Sequence, residues 1–302
     1  MGEPKNFNVS KKSLTELELI AETIREDIIK MLTAAGSGHS AGPLGLADIF
    51  TALYFDVMKY DPKNLDWEQR DLILLSNGHC VPVQYATMAE AGFFPKDELK
   101  TLRKFGSRLQ GHPERTKLPG LENTSGPLGS GLSQAAGMSL AMRMNKDNHR
   151  WIYVVMGDGE QNEGNVWEAA MLCGKYKLNN IIAFTDRNYI QIDGPTEEVM
   201  PLGDLKAKWE AFGWHAIEIN GNDMEAIIDA CAMARAVADK PIMIIAHTIP
   251  GKGVEFMEYD YRWHGMPPGL QDVPGDPLKA DQAKVALHEL RTLRGKIQGE
   301  HE

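Results

Sequence analysis

Two short segments carry residue types able to hold a hard cation beside an anion. The first, Gly157-Asp158-Gly159-Glu160-Gln161-Asn162-Glu163-Gly164, ends an apolar run and opens a helical pattern through Trp167, Ala170 and Met171. Glycine lets backbone N–H groups come close to an anion, and a helix start offers unpaired N–H groups to it. Alone, Gly-Asp-Gly is equally an ordinary strand-ending turn. The second segment, Thr185-Asp186-Arg187-Asn188-Tyr189-Ile190-Gln191-Ile192-Asp193-Gly194, closes the next apolar run. Twenty-eight residues separate Gly159 from Asn188, room for one helix and one strand that return the chain to the same edge of a sheet. An Asp carboxylate, an Asn amide oxygen and a backbone carbonyl just beyond it are hard oxygen ligands. Two phosphate oxygens and a water would complete an octahedron suited to Mg²⁺. Zinc would ask for His and Cys instead.

Four of the nine histidines lie beside glycine in non-helical contexts: Gly38-His39-Ser40-Ala41-Gly42-Pro43-Leu44-Gly45, Ser76-Asn77-Gly78-His79, Gly111-His112-Pro113-Glu114 and Trp263-His264-Gly265. Imidazole, with an unperturbed pKa of about 6.5, donates, accepts or relays protons near neutrality. Singly, each is more often a solvated or core-satisfied residue.

Alternating helices and strands would position these groups. Leu14, Leu17, Ile20, Ile24, Ile28 and Met31 recur at three- and four-residue steps, predicting a helix over 14–32. A second helix is predicted over 43–58. Short apolar runs at 72–75, 151–156, 181–184, 214–219 and 242–246 read as strands, with helical patterns near 81–91, 131–145, 163–176, 202–212 and 224–238 between them. The expected fold is α/β, an open parallel sheet with helices on both faces. The run Trp-Ile-Tyr-Val-Val-Met has the character of a strand buried on both sides. Stretches 105–131 and 250–281 are too rich in Gly and Pro for regular structure and read as functional loops. A terminal helix follows over 282–297. With no internal repeat and no evident linker, 1–302 is expected to be a single domain, with a core over 14–281 and a carboxyl-terminal helix and tail over 282–302.

The chain has 302 residues, 43% of them hydrophobic and 25% charged, enough to bury a sizeable core. Its formal charge of −10 argues against nucleic acid or an anionic membrane as partner, since both need a basic surface. A bound phosphate must therefore be held locally. Cys80, Cys173 and Cys231 are too far apart for a CxxC pair. Residues 1–10 lack the apolar stretch of a signal peptide, and no apolar run approaches the roughly 18 residues of a membrane span. A cytoplasmic protein is expected.

The Gly-Asp-Gly to Asn pattern resembles that of thiamine diphosphate enzymes, which implies the thiamine diphosphate-binding fold. By that resemblance Asp158, Asn188 and the main-chain carbonyl of Ile190 hold the metal, Mg²⁺ or alternatively Ca²⁺ or Mn²⁺. Gly157 and Gly159 shape the diphosphate loop, with the Gly159 N–H meeting the diphosphate, and Ile192 packs against the thiazolium ring. The four histidine motifs, with Thr124-Ser125-Gly126-Pro127-Leu128-Gly129, resemble the amino-terminal half of transketolase over about residues 15–280. In that family the equivalents of His39 and His264 flank the reacting carbon, those of His79 and His264 touch the diphosphate, and that of His112 contacts sugar hydroxyls. Gly126 and Leu128 would line the aminopyrimidine pocket. Ser40-Ala41 stands where the family usually has Pro-Gly, Ser130 where it often has Gln, and Cys80 where Gly is common.

The implied activity is transfer of a two-carbon ketol unit from a ketose phosphate to an aldose phosphate. In the family a glutamate on a second domain activates the cofactor, and no such domain follows here. The chain is therefore expected to be the amino-terminal subunit of a split transketolase. Its partner in an α2β2 heterotetramer would be a separate pyrimidine-binding, carboxyl-terminal subunit. Glu163 and Glu168 either join that interface or form a solvated first helical turn. The alternatives are the α subunit of a 2-oxoacid dehydrogenase and a catalytically silent scaffold of the same fold.

Overall fold

Ser13 starts the first helix by a reciprocal cap. In the computed structural model, which describes residues 11–147 and 149–300, α1 spans Leu14–Ala35. The Ser13 hydroxyl accepts the Glu16 N–H at 3.2 Å while the Glu16 carboxylate accepts the Ser13 N–H at 2.7 Å. Two N–H groups that the helix leaves unpaired are satisfied in this way. Gly36 ends the helix at φ 65°, a left-handed value open to glycine. The stripe of Leu17, Ile24, Ile28 and Met31 is buried. The polar start, residues 1–10, lies outside the described residues.

The single helix predicted over 43–58 is divided into α2 (Ala41–Gly45), α3 (Ala47–Ala52) and a π-helical turn at Leu53–Val57. The division falls at Leu46, next to a carbonyl drawn elsewhere: Gly45 O accepts from Asn222 Nδ2 at 2.9 Å. Gly45 has no room for a side chain, since a Cβ there would lie 2.8 Å from the Ile249 carbonyl oxygen. Arg25, buried on α1, holds this segment down. Its guanidinium pairs with Glu22 and Asp48 and donates to Leu44 O at 3.1 Å. A buried charge persists only when its partners are supplied, and this network fastens the segment that follows His39 to α1.

The chain continues through β1 (Leu72–Leu75), α4 (Val81–Glu90), α5 (Ser130–Met144), β2 (Ile152–Gly157), α6 (Gly164–Tyr176) and β3 (Ile181–Arg187). A two-residue hairpin follows, β4 (Ile190–Gln191) and β5 (Gly194–Pro195), then α7 (Thr196–Val199), α8 (Leu205–Ala211), β6 (His215–Asn220), α9 (Met224–Ala236), β7 (Ile242–His247) and α10 (Gln282–Glu300). α8 starts later than predicted because Gly203 adopts φ 60° and Asp204 caps the Ala207 N–H at 2.9 Å. The hairpin and α7 are too short to leave a periodic signal. Stretches 102–129 and 248–281 hold neither strand nor α-helix, as their Gly and Pro content required.

Five strands form one parallel sheet in the order β1-β2-β3-β7-β6. Because alternate side chains face opposite sides, Tyr153 and Val155 of β2 join one apolar cluster with Ile24 of α1, Ala230 of α9 and Leu290 of α10. Ile152, Val154 and Met156 join the other, with Leu132 of α5, Val166 of α6 and Trp209 of α8. Helices cover both faces, as the expected fold demanded. Among the described residues no helix is long and apolar enough to cross a membrane, and Cys80, Cys173 and Cys231 are free and buried.

Candidate active site

Parallel pairing puts the two motif turns side by side. Gly157 of β2 lies opposite Asp186 of β3, and the Asp158 N–H donates to Asp186 O at 3.1 Å. Ligands of open α/β sheets bind outside the carboxyl ends of the strands, where these turns sit. Asp158 is buried. Its Oδ2 accepts from the Tyr189 N–H at 2.8 Å, Arg187 Nη1 at 2.9 Å and Thr196 Oγ1 at 3.2 Å, and its Oδ1 from the Gly159 N–H at 2.6 Å. Asn188 Nδ2 donates to Asp186 Oδ2 at 2.8 Å, which orients the amide so that Oδ1 accepts the Ile190 N–H at 3.1 Å. Asp158 Oδ1 and Asn188 Oδ1 thus each accept one hydrogen bond and keep acceptor capacity. Asp158, Asn188 and Ile190 line one cleft of about 450 Å³. Between the last two, Tyr189 takes φ 65°, and its hydroxyl meets His247 Nδ1 at 2.7 Å.

Carboxyl groups crowd beneath this cleft. Burial, joined by the charge of Asp158 against bonds from Thr248 and Asn188, pushes Asp186 up to about 7. Burial likewise raises Asp158, opposed by the Arg187 guanidinium, and raises Glu160 to about 6 despite bonds from Ser76, Gly129 and Gly157. A divalent cation would relieve this concentration of negative charge, as bound ions invert local pKa behaviour.

Three of the four singled-out histidines meet at the opposite wall. The rings of His39 and His79 lie 4.8 Å apart between centroids, His79 and His264 5.2 Å, and His39 and His264 5.6 Å. Burial, with the nearby His264, Arg103 and His112, lowers His39 to about 3, and burial lowers His264 to about 4. His79 is lowered by burial and by the other three rings. All three rings are therefore neutral at pH 7, each with one ring nitrogen that carries no proton. In an NMR titration of ring Cε1–H signals from pH 8 to 5, those of His39, His79 and His264 are expected to stay still. A midpoint near 6.5 for any of them would contradict the dry cluster.

The remaining expected site residues take different places around the cleft. His112 is exposed and is not among the residues lining the cleft; its ring lies beside Gly78, where a Cβ would come within 3.1 Å of its Cδ2. Gly126 is likewise outside the lining, whereas Leu128 is within it. Ile192 stands at the mouth, 61% exposed. The Gly159 N–H, expected to meet a diphosphate, is taken by Asp158, which caps the 3₁₀ turn Gly159–Asn162. The Gly157 N–H goes to Glu160 Oε2 at 2.9 Å.

Sequence reasoning left Asn77, Glu160, Asp186 and Arg187 without roles. Each stands inside a quoted motif at the end of an apolar strand, where a polar residue was itself the signal. Both side-chain polar atoms of Asn77, and Nδ1 of His39 and His264, are buried without hydrogen-bond partners. Buried polar atoms are usually paired in native interiors, and these four, on Asn77, His39 and His264, all belong to residues that line the cleft, where a ligand could pair them.

The family described as transketolase, thiamine diphosphate-binding domain, matches residues 17–281. This chain belongs to the transketolase family. One of the subunits of an apulose-4-phosphate transketolase from Phocaeicola vulgatus is 43% identical over 256 residues, covering 84% of this chain and 90% of that one. A 6-deoxy-6-sulfo-D-fructose transketolase subunit from Clostridium sp. is 42% identical over 251 residues, covering 83% and 91%. The solved transketolase from Leishmania mexicana superposes with a TM-score of 0.79 at 32% identity, over 96% of this chain but 46% of its own. The chain thus spans nearly the whole of the two subunits and about half of the solved transketolase. Thiamine diphosphate is the cofactor of this domain, and a divalent metal accompanies it in transketolases. The cleft fits that group: hard oxygens with acceptor capacity face one wall, and unpaired polar atoms face the other.

Proposed function

We propose that this chain is the thiamine diphosphate-binding subunit of a two-chain transketolase. The complete enzyme moves a two-carbon ketol unit from a ketose phosphate to an aldose phosphate in pentose phosphate metabolism, in the cytoplasm. The observation that carries this reading is the convergence of the Asp158–Asn188 turns and the neutral histidine cluster on one cleft. The near-complete span of relatives named as subunits supports a two-chain enzyme. Its partner is a carboxyl-terminal, pyrimidine-binding subunit in an α2β2 heterotetramer, and residues 1–302 act as one domain.

Asp158, Asn188 and the Ile190 carbonyl hold Mg²⁺, with Ca²⁺ or Mn²⁺ able to replace it at oxygen ligands. Gly157, Gly159, His79 and His264 surround the diphosphate, Gly126 and Leu128 the pyrimidine, and Ile192 the thiazolium ring. When bound, the cofactor supplies the electron sink for cleaving the bond beside a ketose carbonyl. The protein orients the sugar, excludes water and handles protons. His39 and His264, neutral and buried, take protons from substrate hydroxyls and return them. His112, on the exposed side, binds sugar hydroxyls.

The test is ketol transfer from xylulose 5-phosphate to ribose 5-phosphate with Mg²⁺ and thiamine diphosphate. The chain alone is expected to be inactive, and the two chains mixed are expected to be active. Activity from the isolated chain would defeat the two-chain reading, and inactivity of the pair towards any ketose phosphate would defeat the transketolase reading.

A further inference from the structure

Glu160 is a buried carboxylate with no cation beside it in its hydrogen bonds, and it joins three segments of the cleft. Its Oε1 accepts the Ser76 hydroxyl and the Gly129 N–H, the latter at 2.6 Å, and its Oε2 accepts the Gly157 N–H at 2.9 Å. Ser76 Oγ in turn accepts the Gly131 N–H at 3.0 Å. Ser76 follows β1 and leads to His79; Gly129 follows Leu128 and opens α5; Gly157 precedes Asp158. One side chain therefore ties together the segments bearing the histidine, pyrimidine and diphosphate parts of the cleft.

We infer that Glu160 is a positioning residue that sets the separation between the pyrimidine loop and the diphosphate turn, so that both ends of a bent thiamine diphosphate fit at once. This rests on the cofactor site proposed above. The two ends are unequally dependent on it. The Asp158 turn has anchors of its own, in the Tyr189 N–H, Arg187, Thr196 and Asp186 O. The Leu128–Gly129 loop has a second tie in Asn165 Nδ2 to Leu128 O, but that contact is long at 3.4 Å. The start of α5, which follows this loop, fits tightly against Ser76 just after β1: a Cβ on Gly131 would lie 2.5 Å from Ser76 Cβ. Glutamine at 160 has one acceptor oxygen and an amide nitrogen that would face an N–H, so it cannot hold all three donors.

The experiment is calorimetric titration of the assembled two-subunit enzyme with thiamine diphosphate and, separately, with inorganic pyrophosphate, both with Mg²⁺. Glu160→Gln is expected to weaken thiamine diphosphate binding tenfold or more and pyrophosphate binding less than threefold. Ser76→Ala, which removes one donor and leaves the carboxylate, is expected to show the same selectivity at smaller size, and it decides the matter should Glu160→Gln fail to fold. A parallel loss for both ligands, the mark of a general structural defect, overturns the inference, as does no change for either. A wild-type two-subunit enzyme that binds neither ligand overturns the cofactor-site reading itself, and the inference falls with it.

Discussion

Asp158→Asn is expected to lower affinity for Mg²⁺–thiamine diphosphate tenfold or more, about 1.4 kcal/mol or greater. The substitution keeps the size of the side chain and removes its charge from the proposed ion contact. It also creates a conflict that size cannot avoid. Four donors surround the two carboxylate oxygens: the Gly159 and Tyr189 N–H groups, Arg187 Nη1 and Thr196 Oγ1. An amide must turn its NH₂ towards one of these sets, leaving donor against donor in a buried place. Arg187 keeps a second carboxylate, Glu197, so the fold itself is not left with an isolated buried cation. Calorimetric titration of the variant against wild type measures the effect. Unchanged affinity would put the metal elsewhere.

His39→Ala is expected to reduce kcat of the two-subunit enzyme about 100-fold or more, the usual scale for loss of a proton-transfer group, with thiamine diphosphate affinity held within about threefold. The ring lies against both His79 and His264, and its Nδ1 has no partner within the protein. A buried, neutral imidazole with an unpaired nitrogen is suited to exchange a proton with a substrate hydroxyl. Steady-state kinetics with a ketose phosphate donor, set beside cofactor titration, separates the two contributions. A kcat within threefold of wild type would remove His39 from the proton path, and an equal fall in cofactor affinity would make it a binding residue.

Much of the site was legible in the order of residues because strand-ending turns are local. The apolar run before Gly157 and the one before Asp186 both read as strands, the first with the character of one buried on two faces, and the length between them left space for only one helix. Asp158 and Asn188 consequently had to emerge at neighbouring strand ends, which the register of β2 and β3 bears out. The histidines were harder. His39, His79 and His264 come from distant parts of the chain, and only their flanking glycines and the family resemblance joined them. His112 carries the same kind of local motif, yet it is exposed and outside the cleft lining, since a histidine next to glycine says nothing about which side of a loop its ring will take.

By itself, the sequence determined the two-faced parallel sheet, the first helix, and the presence of hard oxygen groups at neighbouring strand ends. Each depends on spacing within one or two elements, where the 3.6- and 2-residue periods and the backbone freedom of glycine decide the outcome. Only the tertiary structure decided that Glu160 would accept bonds from three separate segments, that Gly45 would give its carbonyl to Asn222, and that three histidine rings would share one dry corner. Those partners are brought together by helices packing on both faces of the sheet. The protonation of a side chain, and the bonds it makes, follow from which groups that packing leaves beside it and how much water it excludes.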